Sequence, residues 1–291
     1  QPKKIVPTKI ELFDTPGLSR DEKEGNAQRL SVIREASVLV QVIGQFAGCD
    51  PTAEASAFID DLILADSQVV SNRVERLKKD AAKPRPDRDE LQAELEALLP
   101  IAERLENGDE LADMEFSEAQ VKAASSFALL TRKRRLVVLN TADSDIDAEV
   151  VANLESAGHA VIAAPAGLEL EVLALPEEEQ AEFGAEMGLA EPSRRLLLRK
   201  IFEVTDQITF YTCAEKEVHA WLLNRGETVL DAADTIHSDL ARGFVRAEIW
   251  SADDLLRLGS ERELKAAGLQ HVEGKEYVVQ DGDEIFIRSG I

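Results

Sequence analysis

Three short segments carry residue types whose spacing is suited to binding a nucleotide. Asp14-Thr-Pro-Gly17 follows the alternating stretch Lys9-Ile-Glu-Leu-Phe13, which reads as a strand running into a loop. A carboxylate in that place reaches Mg²⁺ through water. A glycine three residues on presents its amide to a terminal phosphate, in a turn flexible enough to answer to whether the phosphate is there. Asn140-Thr-Ala-Asp143 follows the apolar run Leu136-Val-Val-Leu139. An aspartate there accepts from two adjacent N–H donors, which is what the edge of guanine offers. Thr141 stands where a lysine would lay an aliphatic cover over the base. Ala164-Pro-Ala166 follows a third run, Ala160-Val-Ile-Ala-Ala164, and brings backbone amides to the same place. Taken singly, each segment is more often an ordinary turn or helix cap. Taken together and in this order, they mark one crevice at the carboxyl ends of parallel strands.

The elements that must hold these loops follow from the pattern. Ser37–Ile43, Leu136–Leu139 and Ala160–Ala164 are near-continuous apolar runs, suited to strands of a parallel sheet buried on both faces. Helical patterns lie between them, beginning with a short helix over Asn26–Glu35, and the alternation predicts an open α/β sheet. Between Ile43 and Leu136 the spacing changes. Phe58, Leu62, Ala65, Val69 and Leu77 follow one helical stripe, Lys83-Pro-Arg-Pro86 breaks it, and Leu91, Leu95, Leu98, Ile101 and Leu105 resume it. That is a helical hairpin inserted in the sheet domain, its seam packing on itself. After Thr205 the chain reads as a small α+β unit. Its expected strands are Ile208–Cys213, Glu217–Leu223, Phe244–Trp250, Glu276–Val279 and Ile285–Ile287, with a helix over Val229–His237.

Composition narrows the function. Lys and Arg number 33 against 56 Asp and Glu, a net charge of −23, which excludes general DNA or RNA coating. Two cysteines, Cys49 and Cys213, make no disulfide framework and no zinc motif, and they fit a reducing, cytoplasmic compartment. No apolar run approaches the roughly 18 residues of a membrane span. The four histidines have no metal-ligand spacing. His237 and Asp239 read as a capped turn rather than an acid–base pair. The basic run Arg132-Lys-Arg-Arg135 is either a solvated helix end or a contact for phosphate, including RNA. Phe46 either stacks on a base or packs in a core.

Longer matches then accumulate. Lys4-Ile-Val-Pro7 runs into Asp14-Thr-Pro-Gly-Leu18, and Gly25-Asn26 precedes Ile33-Arg-Glu35. Asp50-Pro51 and Leu64-Ala-Asp66 open the hairpin. Ile236-His-Ser-Asp239 leads into Gly243-Phe-Val-Arg-Ala-Glu248, with Glu273-Gly-Lys275 and Val279-Gln-Asp-Gly-Asp283 behind it. These segments resemble the YchF/Obg-like ATPase family along essentially the whole chain. The resemblance implies an incomplete doubly wound P-loop NTPase sheet (1–52 and 131–204), a coiled-coil insertion (53–130) and a C-terminal β-grasp TGS domain (205–291).

It implies a nucleotide-dependent switch that engages the ribosome or a translation factor. ATP is preferred and GTP possible, Mg²⁺ is the cofactor, and K⁺ or the ribosome assists. Asp14 would meet Mg²⁺ through water and Gly17 the γ-phosphate. Phe46, Asn140, Thr141, Ala142, Asp143 and Ala166 would surround the base. Leu18 stands where Ras-like switches carry a water-orienting Gln, and no residue makes a convincing general base. The family's base loop ends in Glu, whereas this chain has Asp143. No GxxxxGK[ST] occurs in the 291 residues. The expectation is therefore a piece of a longer NTPase that is inactive on its own. The alternatives are a nucleotide-free module that docks through the hairpin and TGS domain, and an RNA adaptor acting through the TGS domain alone.

Overall fold

The computed structural model describes residues 3–18, 23–45, 48, 50–143, 146–189, 191–213 and 217–290, with backbone alone at 23–25 and 27. Its contacts separate two units, Asp14–Val204 on one side and Gln1–Phe13 with Thr205–Ile291 on the other. The N-terminal strand β1 (Lys4–Val6) belongs to the second unit. There it runs parallel to a strand over Glu217–Asn224, and the Lys4 ammonium pairs with Glu217 at 3.1 Å. Residues 4–6, which the resemblance groups with the nucleotide domain at 1–52, therefore pair in the other unit's sheet. The expected strand Lys9–Phe13 is absent, because residues 7–18 follow no regular structure. Alternating Ile10 and Leu12 give a stretch β character but name no partner, and Leu12 and Phe13 remain exposed.

The first unit opens with α1 (Lys23–Glu35), then β2 (Val38–Gly44). The hairpin follows as α2 (Pro51–Ala81) and α3 (Arg88–Glu106), then α4 (Glu118–Ala124) and a 3₁₀ turn at Leu130–Arg132. Next come β3 (Arg134–Asn140), α5 (Ala148–Ser156) and β4 (Ala160–Ala164), with α6 (Ala166–Leu173), α7 (Glu177–Glu186) and α8 (Ser193–Thr205) after them. The sheet is parallel in the order β2-β3-β4, Val40 opposite Leu136 and Leu136 opposite Ala160. Leu39, Ile43, Val137 and Leu139 are buried, as continuous apolar runs require.

The hairpin starts where Asp50 accepts from the Thr52 and Ala53 amides at 3.0 and 3.2 Å, with Pro51 at the first helical position. Val70, Val74 and Leu77 of α2 then meet Leu98, Ile101 and Leu105 of α3, a seam sealed by Leu111. Each such side chain contributes roughly 1.5–3 kcal/mol on full burial. Arg73 and Glu94 join the two helices by a bidentate pair with both contacts at 2.7 Å. The hairpin is tied to the sheet through Asp66, which is fully buried among apolar neighbours. Its carboxylate accepts from Arg34 of α1 at 2.9 Å, from the Thr131 amide at 2.9 Å and from the Thr131 hydroxyl at 3.0 Å. A buried charge is tolerable only with such complete partnering.

The second unit is a β-grasp. Its strands β5 (Gln207–Cys213), β6 (Glu217–Asn224), β7 (Phe244–Ser251), β8 (His271–Glu273) and β9 (Asp283–Ser289) join β1 in the order β1-β6-β5-β9-β7-β8. Pairing is antiparallel for β5–β6 and β7–β9 and parallel for β5–β9. Helices α9 (Val229–Ile236), α10 (Ser238–Arg242), α11 (Ala252–Leu258) and α12 (Glu261–Ala266) fill the connections. Phe210, Ile208, Ile249 and Ile285 of the sheet bury Val229 and Ala232 of α9. The expected strand Glu276–Val279 forms a single isolated bridge, Thr228 to Val278, flanked by bonds from the Val229 amide to the Tyr277 carbonyl and from the Val279 amide to the Glu227 carbonyl at 2.8 and 3.1 Å, and Val279 is buried in the core. Asp283 shapes this segment by accepting from the Tyr277 hydroxyl at 3.0 Å and the Gln280 amide at 2.9 Å.

Candidate functional site

The carboxyl ends of β3 and β4 come together residue for residue, Asn140 lying opposite Ala164. Asn140 accepts from the Ala166 amide through its side-chain oxygen at 3.2 Å, so the loops after the two strands are hydrogen-bonded to each other. Having used its oxygen, the side chain keeps its NH₂ as a donor. Thr141 is buried to 3 % exposure and fixed from both ends. Its amide donates to the Ala164 carbonyl at 3.1 Å, and its hydroxyl donates to the Asp143 carbonyl at 2.7 Å. The second bond folds the loop into a tight turn and brings Ala142 and Asp143 to the surface. Downstream, Asp147 caps α5 by accepting from the Glu149 and Val150 amides, so the strand–loop–helix order is set by local chemistry. Thr141 thus replaces the aliphatic cover over a base with a structural bolt. The Asn140 NH₂ as donor and the Asp143 carboxylate as acceptor are of the kinds that the polar edge of a purine pairs with.

Asp14 and Gly17 are both exposed in the irregular stretch before α1. The Gly17 carbonyl accepts from Arg29 of α1 at 3.0 Å, which ties this loop to the helix after it. Leu18 packs against the cluster of Ile33, Leu39, Leu62 and Leu130, so its side chain is a core contact. Phe46 lies outside the described residues.

Among the described residues no group of three or more His, Cys, Asp or Glu side chains is placed to hold a metal. Mg²⁺ takes one or two carboxylates when waters and substrate phosphates complete its octahedron, and Asp14 offers one such carboxylate.

Other titratable groups have structural roles. The His237 imidazole caps α10 by accepting from the Asp239 amide at 3.1 Å, so the turn is capped by the histidine rather than the aspartate. Burial and then Glu284 push the Cys213 thiol up to about 12, which leaves it protonated and unreactive. Burial, followed by nearby Arg135, lowers the His159 imidazole below its ordinary value. The Asp66–Arg34–Thr131 network was not evident from the sequence. Its one signal is an acid placed among the apolar positions Leu62, Ile63 and Val70 of α2.

Among the described residues no helix is long and apolar enough to cross a membrane. Residues 207–289 match the family YchF-GTPase_C, described as a protein of unknown function (DUF933). The "Ribosome-binding ATPase YchF" of Bacillus subtilis (strain 168) is 34 % identical over 310 residues, covering 100 % of this chain and 84 % of the relative. "Obg-like ATPase 1" of Oryza sativa subsp. japonica is 30 % identical over 312 residues, covering 100 % and 78 %. The solved YchF GTPase of Schizosaccharomyces pombe superposes with a TM-score of 0.81 at 25 % identity, covering 99 % of this chain and 82 % of the other.

Proposed function

The chain belongs to the YchF family, and from that premise we propose that it is a ribosome-associated, cytoplasmic protein that binds a purine nucleotide, ATP ahead of GTP. The observation that supports this reading is the bond from Ala166 to Asn140, which joins the two strand-end loops that carry the expected base-loop residues. In this reading Asn140 and Asp143 read the base edge, while Thr141, Ala142 and Ala166 supply its backbone frame. Relatives carry both ATPase and GTPase in their names. The Asp143 carboxylate accounts for tolerance of guanine, since it can accept from both N–H groups of that base but from the amino group alone of adenine. Asp14 and Gly17 are assigned to the Mg²⁺ and the terminal phosphate that a bound nucleotide brings with it. With Leu18 packed in the core, water activation falls to no side chain of this loop, and positioning is left as the means of hydrolysis.

A second reading is a nucleotide-free module that docks on a ribosomal or other protein surface. Calorimetric titration with Mg-ATP and Mg-GTP decides between the two. The base-loop reading predicts weak, saturable binding of both nucleotides, with the order ATP ahead of GTP expected from the family and not from Asp143. Asn140→Ala removes one neutral hydrogen bond, worth about 1 kcal/mol or roughly fivefold in affinity. Absence of binding by either nucleotide at millimolar concentration leaves the docking module.

A further inference from the structure

Where the chain leaves the helical insertion and enters β3, Arg132-Lys133-Arg134-Arg135 sets four cations in a row in a protein of net charge −23. Arg135 is neutralised by an ion pair with Glu110. The other three ring a concavity of about 380 Å³, together with Ser37, Ser125 and an apolar floor that includes Leu129. Neutral groups hold two of them in place. The Arg132 guanidinium lies 3.9 Å from the centre of the Phe116 ring, and Lys133 donates to the Ala36 carbonyl at 2.5 Å. Arg134 is exposed. None of the three pairs with a carboxylate among the described residues, although the chain carries 56 of them. Two of the three are thus held by neutral groups, and none of the three forms an ion pair among the described residues.

We propose that this concavity binds the sugar–phosphate backbone of single-stranded RNA. Arginine forks match phosphate oxygens, and serine hydroxyls suit a phosphate or a ribose 2′-OH. The apolar floor lies against the sugar, a role a lone inorganic anion would leave unused. The concavity accommodates about one nucleotide rather than a duplex groove. The charge on the rest of the chain confines binding to this spot and keeps it modest. The site is independent of the base loop after β3 and gives a protein of this composition one local route to RNA.

The test is fluorescence anisotropy of a labelled RNA of about 12 nucleotides with the full chain, between about 50 and 200 mM salt. Three phosphate contacts predict a slope of log K against log salt of about −2, from roughly 0.7 per contact on a single strand. Arg132→Glu with Arg134→Glu lowers affinity at least about tenfold. The milder Arg132→Gln with Arg134→Gln, which leaves the fold unloaded by reversed charge, brings the slope to about −0.7. Arg242→Glu with Arg257→Glu, in the other unit, leaves binding unchanged. Undetectable binding at the lowest salt overturns the proposal, as does full binding by the double Glu variant. So does equal loss in the Arg242 and Arg257 control. Displacement of RNA by inorganic phosphate at matched ionic strength would reduce the concavity to a simple anion site. Displacement by a polyglutamate peptide at equal charge would assign it to an acidic protein. Nucleotide titration of the double Glu variant stays as in the parent, so failure here is distinguishable from failure of the base-loop reading.

Discussion

Asp66→Ala tests the tie between hairpin and sheet. The carboxylate is wholly buried and accepts three hydrogen bonds, from Arg34 and from the Thr131 amide and hydroxyl. Removing one partner of a buried ion pair costs about 3–5 kcal/mol. The Arg34 guanidinium keeps the carbonyls of Phe127 and Ala128 at 3.0 and 3.1 Å and that of Ala65 at 3.4 Å, which moves the cost toward the lower end. The Thr131 amide is left stranded, a penalty of about 1–3 kcal/mol within that total. The expected loss is thus about 3 kcal/mol. With a urea slope of about 2 kcal/mol per molar, the midpoint falls by about 1.5 M. Asp66→Asn keeps the volume but turns an NH₂ toward a donor, and loses about 2–3 kcal/mol. Thr131→Val forfeits one of the three bonds and loses about 1 kcal/mol.

The two units can be followed separately. Trp221 and Trp250 are the two tryptophans of the chain, both within Thr205–Ile291, whereas the long helices α2 and α3 lie within Asp14–Val204. Circular dichroism at the helical band should show the shift, while the tryptophan fluorescence midpoint stays in place. An unmoved dichroism midpoint, or equal losses for Asp66→Ala and Thr131→Val, would refute the reasoning.

Three further outcomes are expected. Pro100 lies inside α3 on an exposed position, so Pro100→Ala restores a helical hydrogen bond and raises the dichroism midpoint by the equivalent of about 1–3 kcal/mol. Thr228 and Asp231 form a capping box on α9, with hydroxyl to carboxylate at 2.6 Å, so Thr228→Ala lowers the fluorescence midpoint by about 1–2 kcal/mol. The Thr228 hydroxyl holds the Asp231 carboxyl below its ordinary 3.8, so this difference is present above that pH and shrinks as pH falls through the lowered value. Burial lowers the His159 imidazole, so as pH falls through about 6.5 the unfolded chain binds the proton first and stability drops. His159→Gln flattens that decline in urea titrations between about pH 7 and 5.

Period and punctuation carried much of the architecture. The apolar runs now seen as β2, β3 and β4 could be read from their continuity, although Val42 leaves one face of β2 exposed, and Lys83-Pro-Arg-Pro86 ended a helix because proline cannot continue one. The turn residues Asn140–Asp143 were legible for the same reason, since they interrupt an apolar strand with groups that hydrogen-bond locally. What the residues did not show is partnership. Lys4–Val6 pairs with β6 across more than two hundred positions of sequence, a choice no local pattern encodes. Tyr277 and Val279 alternate like a strand, yet Asp283 takes the Tyr277 hydroxyl and the Gln280 amide and the segment keeps a single bridge. His271–Glu273 is too short and exposed to have declared itself. At the candidate site the loop after β3 was readable residue by residue, but the bolt from Thr141 to Ala164 and the bond from Ala166 to Asn140 exist only once β3 and β4 are in register.

The most direct test of the central claim is amide NMR of the full chain titrated with Mg-ATP and with Mg-GTP, which registers binding even when it is weak. The base-loop account predicts dose-dependent shifts centred on the amides of Thr141, Ala142, Asp143 and Ala166 with both nucleotides, titrating with roughly fivefold weaker affinity in Asn140→Ala. Shifts confined to the hairpin or to Thr205–Ile291, or none at the loops after β3 and β4, would contradict it.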